Sequence, residues 1–173
     1  MIWHMQKEYP RKVRAMFREM RRFKQQVSRE ECVRVLTEQK RGVLSVIGDD
    51  GYPYGLPIDH WYCEEDGHIY FHCGKEGHKI DAIRKCDKVS YCVYDDGVRK
   101  DGDWVLHFVS VITFGRIRIV EDEEKMRRIC TEITKRFTDD EEYLQKEMES
   151  AFSRVACLEL IPEHMTGKRI TES

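Results

Sequence analysis

Apolar and polar positions alternate over short runs through the middle of this chain and recur at helical spacing toward both ends. Ser28-Arg29-Glu30-Glu31 has the capping-box form, with Cys32, Val35 and Leu36 following on one face, which predicts an amphipathic helix over 28–39. Residues 42–47 read as a strand, Gly48-Asp49-Asp50-Gly51 as a turn, and 53–62 as one extended return strand, together a hairpin. Glu64-Glu65-Asp66-Gly67 then turns the chain into a strand over 69–73. Gly74-Lys75-Glu76-Gly77 breaks that strand, and Ile80 and Ile83 place a short helix over 78–85. Strands are expected again over 89–94 and over a long run, 107–121, in which Gly115 marks a bend or bulge. Met126, Ile129, Cys130, Ile133 and Phe137, then Leu144, Met148, Ala151 and Phe152, predict two acidic-surfaced helices, and 155–161 a last strand that Pro162 stops. About six strands joined mostly by short turns predict a mainly β fold with helices (α+β), a small closed or partly closed antiparallel barrel.

Composition narrows the class. At 173 residues one domain is expected, and 36% charged residues fit a heavily solvated surface. No stretch approaches the roughly 20 apolar residues of a membrane helix. Residues 1–26 are basic and lack the apolar segment of a signal peptide, so a cytoplasmic protein is expected. The seven cysteines are odd in number and scattered through apolar runs, as reduced core thiols are. With 30 basic and 32 acidic residues the net charge is −2, so the whole-protein field gives no reason to expect nucleic acid. Residues 1–27 carry a net +6 and 121–149 a net −5; solvated helix faces explain this more simply than a polyanion-binding arm.

The segment richest in chemistry is Phe71-His72-Cys73-Gly74-Lys75-Glu76-Gly77-His78-Lys79-Ile80. A helix starting near Gly77 aims unpaired backbone N–H groups outward, and His78 and Lys79 add donors and charge there, the outline of a phosphate site. A plain strand–turn–helix connection explains the same pattern. His60, Cys63, His72, Cys73 and His78 are nominal zinc ligands, but strand neighbours point to opposite faces and no Cys-x-x-Cys pair is present, so no metal is expected. Arg41 can reach a phosphate or cap the preceding helix. Trp61, Tyr62, Tyr70, Phe71 and Trp104 are core or interface aromatics on their own terms, and His107 and His164 stand alone. No Ser–His–Asp order, Walker loop or nucleotide-fold glycine fingerprint supports hydrolysis or ATP chemistry.

Taken in order, Met20-Arg21-Arg22, Glu30-Glu31-Cys32, Arg41-Gly42-Val43-Leu44-Ser45, Gly51-Tyr52-Pro53-Tyr54-Gly55-Leu56-Pro57-Ile58, Ile69-Tyr70-Phe71-His72, Gly77-His78-Lys79-Ile80, Phe114-Gly115-Arg116 and Thr166-Gly167-Lys168 form a recognisable series. The series resembles the nitroimidazole-resistance branch of the pyridoxamine 5′-phosphate oxidase-like superfamily. It covers residues 20–173, leaving 1–19 as a basic arm. The resemblance implies an FMN-binding split β-barrel, with FAD as the alternative cofactor, and a homodimer with the flavin in a groove between subunits. It implies that His78 and Lys79 hold the flavin phosphate with help from Arg41, that the backbone at Val43, Leu44 and Ser45 lies along the ring, and that Pro57 and Ile58 line its other edge. His72 falls where such reductases have their active-site histidine. The implied activity is reduction of a small acceptor, a nitro-aromatic or quinone, by a reduced nicotinamide; the alternative is a non-catalytic barrel holding flavin or haem. His78 stands where many relatives have arginine. The tail reads Pro162-Glu163-His164-Met165 in place of an Arg-Leu-x-Pro pattern, which points away from vitamin B6 oxidation.

Overall fold

The computed structural model describes residues 17–102 and 104–171. Residues 1–16 of the expected basic arm lie outside this range. Seven antiparallel strands, β1 (Arg41–Ile47), β2 (Pro53–Asp59), β3 (Trp61–Cys63), β4 (His68–Gly74), β5 (Lys88–Tyr94), β6 (His107–Val120) and β7 (Val155–Thr171), form one sheet in the order β2-β1-β5-β6-β7-β4-β3. The sheet curls into a split barrel with peripheral helices α1 (Arg29–Glu38), α2 (His78–Lys85), α3 (Glu123–Lys135) and α4 (Glu141–Ala151). None of the described helices is long and apolar enough to cross a membrane.

Alternation along the strands sets the core. Gly42, Leu44 and Val46 of β1 point inward, as do Val89, Tyr91 and Val93 of β5 and Ile69 and Phe71 of β4. They meet Leu158 and Leu160 of β7, Cys32, Val35 and Leu36 of α1, and Ile80 and Ile83 of α2. Each such fully buried aliphatic side chain contributes about 2 kcal/mol of burial free energy. A second, smaller core lies where Ile129, Cys130 and Ile133 of α3 pack on Tyr70, Val120 and Cys157. The helix starts are capped as their sequences suggest: Ser28, Asp122 and Asp140 accept from the backbone N–H of Glu31, Lys125 and Tyr143. Only α2 among these helices starts without a side-chain cap.

Two expectations fail, each for a definite reason. The final strand does not stop at Pro162; β7 runs on to Thr171, paired with β6 throughout. Pro162 lies opposite Gly115 while His164 lies opposite Phe114, so Glu163 is the extra residue of a bulge, where the ladder does not need the N–H that proline lacks. Gly115 is required there, since a Cβ would sit 2.2 Å from the Ile161 carbonyl oxygen. The extended run over 53–62 is not one strand either. It breaks at His60 into β2, which pairs with β1, and β3, which pairs with β4, and this makes seven strands where about six were expected.

That break closes the barrel. β2 and β3 are the two ends of the sheet order, and one residue, His60, joins them. Its backbone N–H donates to the Lys40 carbonyl at 3.1 Å, Nε2 lies 2.8 Å from the Leu36 carbonyl and Nδ1 lies 2.8 Å from the Tyr91 hydroxyl. The ring is fully buried, and burial holds its pKa down at about 4. Because the folded value lies below the ordinary 6.5, the unfolded chain takes up the proton first as pH falls. Stability from this residue is therefore complete above about pH 6.5 and declines to about pH 4, by on the order of 3 kcal/mol. Urea unfolding at closely spaced pH values should show this decline, and a His60→Gln variant, though destabilised, should lack it.

Candidate functional site

The candidate residues lie along the β1–β2 hairpin and the end of β4 nearest it. Arg41 and Asp59 pair directly in the ladder, and their side chains form a bidentate ion pair with N···O distances of 2.6 and 3.1 Å. The Asp59 carboxylate raises the Arg41 pKa above its ordinary value. Arg41, Pro57, Ile58, Asp59 and His72 line a recess of about 350 Å³. The recess thus gathers four of the residues that the sequence singled out. Val43 and Ser45 point outward on the same strand face as Arg41, whereas the Leu44 side chain is fully buried in the core, leaving only its backbone for contact outside. Ile58 is also largely buried, and its carbonyl lies 3.2 Å from the Tyr91 hydroxyl.

His78 and Lys79 sit at the other end of the hairpin. The His78 ring stacks on Tyr54 with centroids 4.3 Å apart and lies beside the turn at Gly48 and Asp49. Asp49, His78, Asp81, Arg84 and Lys85 surround a second, open recess of about 500 Å³. Six strand residues separate Arg41 from this turn, roughly 20 Å, so within one chain Arg41 and His78 do not converge on a single group. Lys79 reaches back to the Cys73 thiol, whose pKa burial raises and the nearby ammonium lowers. Gly77 has φ 115°, and nothing lies within 4 Å of where a Cβ would stand, so the space before the uncapped start of α2 is open.

Sequence reasoning missed the outer face of the sheet. Ladder register carries the face of Val43 and Ser45 across Cys92 and Ser90 to Ile112 and Phe114, then to Thr166 and His164. Ile112 and Phe114 each remain 39% exposed, and the Phe17 ring stacks on His164 at 4.8 Å. The signal was present in Val109-Ser110-Val111-Ile112-Thr113-Phe114, apolar on both alternations, as in a strand meant to be covered on both sides. Trp104, by contrast, is 70% exposed on a loop.

One cluster resembles a metal centre and is filled otherwise. Asp66, His68 and Glu159 lie close together, but Arg118 and Lys125 already reach the Glu159 carboxylate at 2.8 and 2.9 Å, and His68 and Tyr70 bind it too. These partners outweigh the burial of Glu159 and hold its pKa down at about 2.

The pattern of the family described as pyridoxamine 5′-phosphate oxidase matches residues 28–169. The chain belongs to that family. A search of curated proteins gives no match. Among solved structures, a candidate 5-nitroimidazole antibiotic resistance protein from Bacteroides thetaiotaomicron superposes with a TM-score of 0.69 at 19% identity, over 84% of this chain and 87% of that one. A conserved hypothetical protein from Mycobacterium tuberculosis gives 0.73 at 18% identity, over 87% and 90%. An FAD-binding protein from Mesorhizobium loti gives 0.61 at 24% identity, over 84% and 96%. At these identities the likeness is one of fold, and it agrees with the split barrel described above.

The Glu159 network makes a prediction that does not depend on any ligand. Its folded pKa lies below the ordinary 4.5, so its contribution is complete above about pH 4.5 and is lost as pH falls toward 2, a window below that of His60. Glu159→Gln should lower stability at neutral pH by about 2 kcal/mol and flatten the acid limb in that lower window, as read by thermal unfolding.

Proposed function

We propose that this chain binds a flavin, FMN in the first instance, and acts as a flavin-dependent reductase of small acceptors such as nitroimidazoles, other nitro-aromatics or quinones, with a reduced nicotinamide as donor. The observation that carries the reading is the uncapped, open start of α2 beside Lys79, at the opposite end of the β1–β2 hairpin from the His72 recess. Lys79 has no carboxylate partner among the described residues, whereas Arg41 is matched by Asp59. Backbone N–H groups and an ammonium suit a phosphate dianion. Val43 and Pro57, both exposed on the outer hairpin face, suit the flat apolar ring of a flavin. The residues present therefore fit the group, with FAD as the alternative that the larger recess beside α2 leaves room for. Family membership and the FAD-binding neighbour support the same choice.

In this reading the flavin supplies the electron chemistry and the chain supplies orientation. Lys79 and the start of α2 hold the phosphate. Pro57 and the backbone of β1 fix the ring edge, and Ile58 braces the recess from within. His72, on the recess wall, is placed to donate a proton to the acceptor. Arg41, distant from α2 within the chain, faces the ring end of the ligand. The exposed apolar face of Val43, Ile112 and Phe114 is proposed as the contact with a second copy of this chain, and a cytoplasmic location goes with the free thiols.

The deciding measurement is the absorbance spectrum of purified protein before and after saturation with FMN. A flavin band is expected, and Lys79→Ala should weaken FMN binding by tenfold or more while leaving the fold intact, which corresponds to about 1.4 kcal/mol. No band in either protein would overturn the reading, and a Soret band after haem addition without nicotinamide oxidation would turn it to the non-catalytic alternative. Light scattering on the loaded protein should give the mass of a dimer, and Phe114→Asp should shift it to the monomer.

A further inference from the structure

The second core holds a feature that flavin binding does not require. Cys130 of α3 and Cys157 of β7 face each other with Sγ atoms 3.6 Å apart, both as free thiols. Cys157 lies opposite His72 in the β4–β7 ladder. The His72 imidazole in turn lies against the Cys130 thiol on one side and lines the candidate recess on the other. Most buried cysteines are inert small apolar groups, and Cys63 of the same core fits that description. The pair differs in having a thiol partner and an imidazole in contact.

We propose that Cys130 and Cys157 form a redox-active dithiol that a peroxide closes to a disulfide, and that its state sets the position of His72. Cys130 is the attacking sulfur: the Cys157 thiol 3.6 Å away and the His72 imidazole beside it favour its thiolate over the opposing effect of burial, while Cys157 has the Met126 carbonyl at 3.7 Å as an acceptor for its own S–H. Cys157 keeps its proton, pushed upward by the neighbouring sulfur and by burial. The Cys130 thiolate attacks one oxygen of hydrogen peroxide, the O–O bond breaks, and a sulfenic acid and hydroxide form. The Cys157 sulfur then displaces the hydroxyl from Cys130. An S–S bond replaces the S–O bond, and the Cys157 proton leaves with the departing oxygen as water. In sum, two thiols and one peroxide give one disulfide and two waters, with sulfur oxidised and peroxide reduced.

Closure draws the sulfurs from 3.6 Å to the roughly 2.05 Å of an S–S bond. His72 then loses the thiolate beside it, and the imidazole moves relative to the recess. The disulfide stands on the sulfur geometry alone. Its consequence for the recess rests on the reading of His72 as a site residue.

The test treats native protein with an equivalent of hydrogen peroxide, alkylates under denaturing conditions and maps the peptides. The expected result is loss of two of the seven thiols, a cross-link between the Cys130 and Cys157 peptides, and full reversal by dithiothreitol. Dimedone should label Cys130 in Cys157→Ser, and should not label Cys157 in Cys130→Ser. If either variant fails to fold, the cross-link map of the unsubstituted protein decides. Both thiols still alkylatable after other cysteines have oxidised, or a cross-link elsewhere, would overturn the dithiol. In histidine-labelled protein, the His72 imidazole resonance should shift on oxidation and return on reduction. An unmoved resonance beside a formed cross-link would overturn the coupling. Neither readout requires bound flavin, so failure of the cofactor reading would be seen separately.

Discussion

The neutral, buried imidazole of His60 is the contact on which the barrel depends. A sheet ordered from β2 to β3 has two edges, and unpaired edges invite association with other chains. Here the chain joins them through a single corner residue, which must satisfy its polar atoms with no water near. The Leu36 carbonyl can only accept, so Nε2 carries the proton and Nδ1 is left to accept from the Tyr91 hydroxyl. Leu36 lies in the last turn of α1, where carbonyls lack intrahelical partners. The corner thus serves the end of a helix, the middle of β5 and the junction of two strands at once. Ile58 and Asp59, immediately before it, line the candidate recess, so the position of the recess follows from the geometry of the corner.

The two-faced character of β4 and β7 places the site between two packed layers. Alternation along β4 sends Phe71 into the barrel, and sends Tyr70 and His72 toward α3. β7 does the same with Leu158 and Leu160 on one face and Cys157 and Glu159 on the other. His72 can therefore face the recess while resting on the small core beneath α3. Helix α3 is in turn tied to the sheet by Lys125, which reaches Glu159 of β7, and by Arg128, which reaches Glu65 in the turn between β3 and β4. The ion pair at Glu159 is the stronger anchor, because its carboxylate is withdrawn from water and less screened than the exposed pair.

Local patterns were legible in the sequence and pairings were not. The capping box at Ser28, the glycine bulge at Gly115 and the helix after Gly77 each depend on a few neighbouring residues, and each stands where those residues indicate. Pro162 misled because a proline ends a strand only when the ladder needs its N–H, and that is decided by Gly115, far away in sequence. His60 misled because nothing within 53–62 announces a change of partner from β1 to β4. The same limit applies to the site. His78, Lys79 and His72 were visible as chemistry, while the gathering of His72 with Arg41 and Pro57, and the separation of Arg41 from His78, are products of the barrel's closure.

That separation constrains how a long anionic ligand can lie. An anion is drawn to a cation that is not already neutralised, and Asp59 takes up both arms of the Arg41 fork. At the opposite end of the hairpin, α2 offers backbone donors without a side-chain cap, and Lys79 adds a charge without a carboxylate partner among the described residues. On the proposed reading the phosphate is therefore held at the α2 end, and the rest of the ligand runs along the outer face toward Arg41. The outer face that would receive it is a sheet surface rather than a cleft, with Ile112 and Phe114 part-exposed beyond it. Such a surface cannot exclude water from a flat ring by itself. On the proposed reading enclosure comes from a further layer, and the apolar strip running from Val43 across to His164 is the face proposed above for a second copy of the chain.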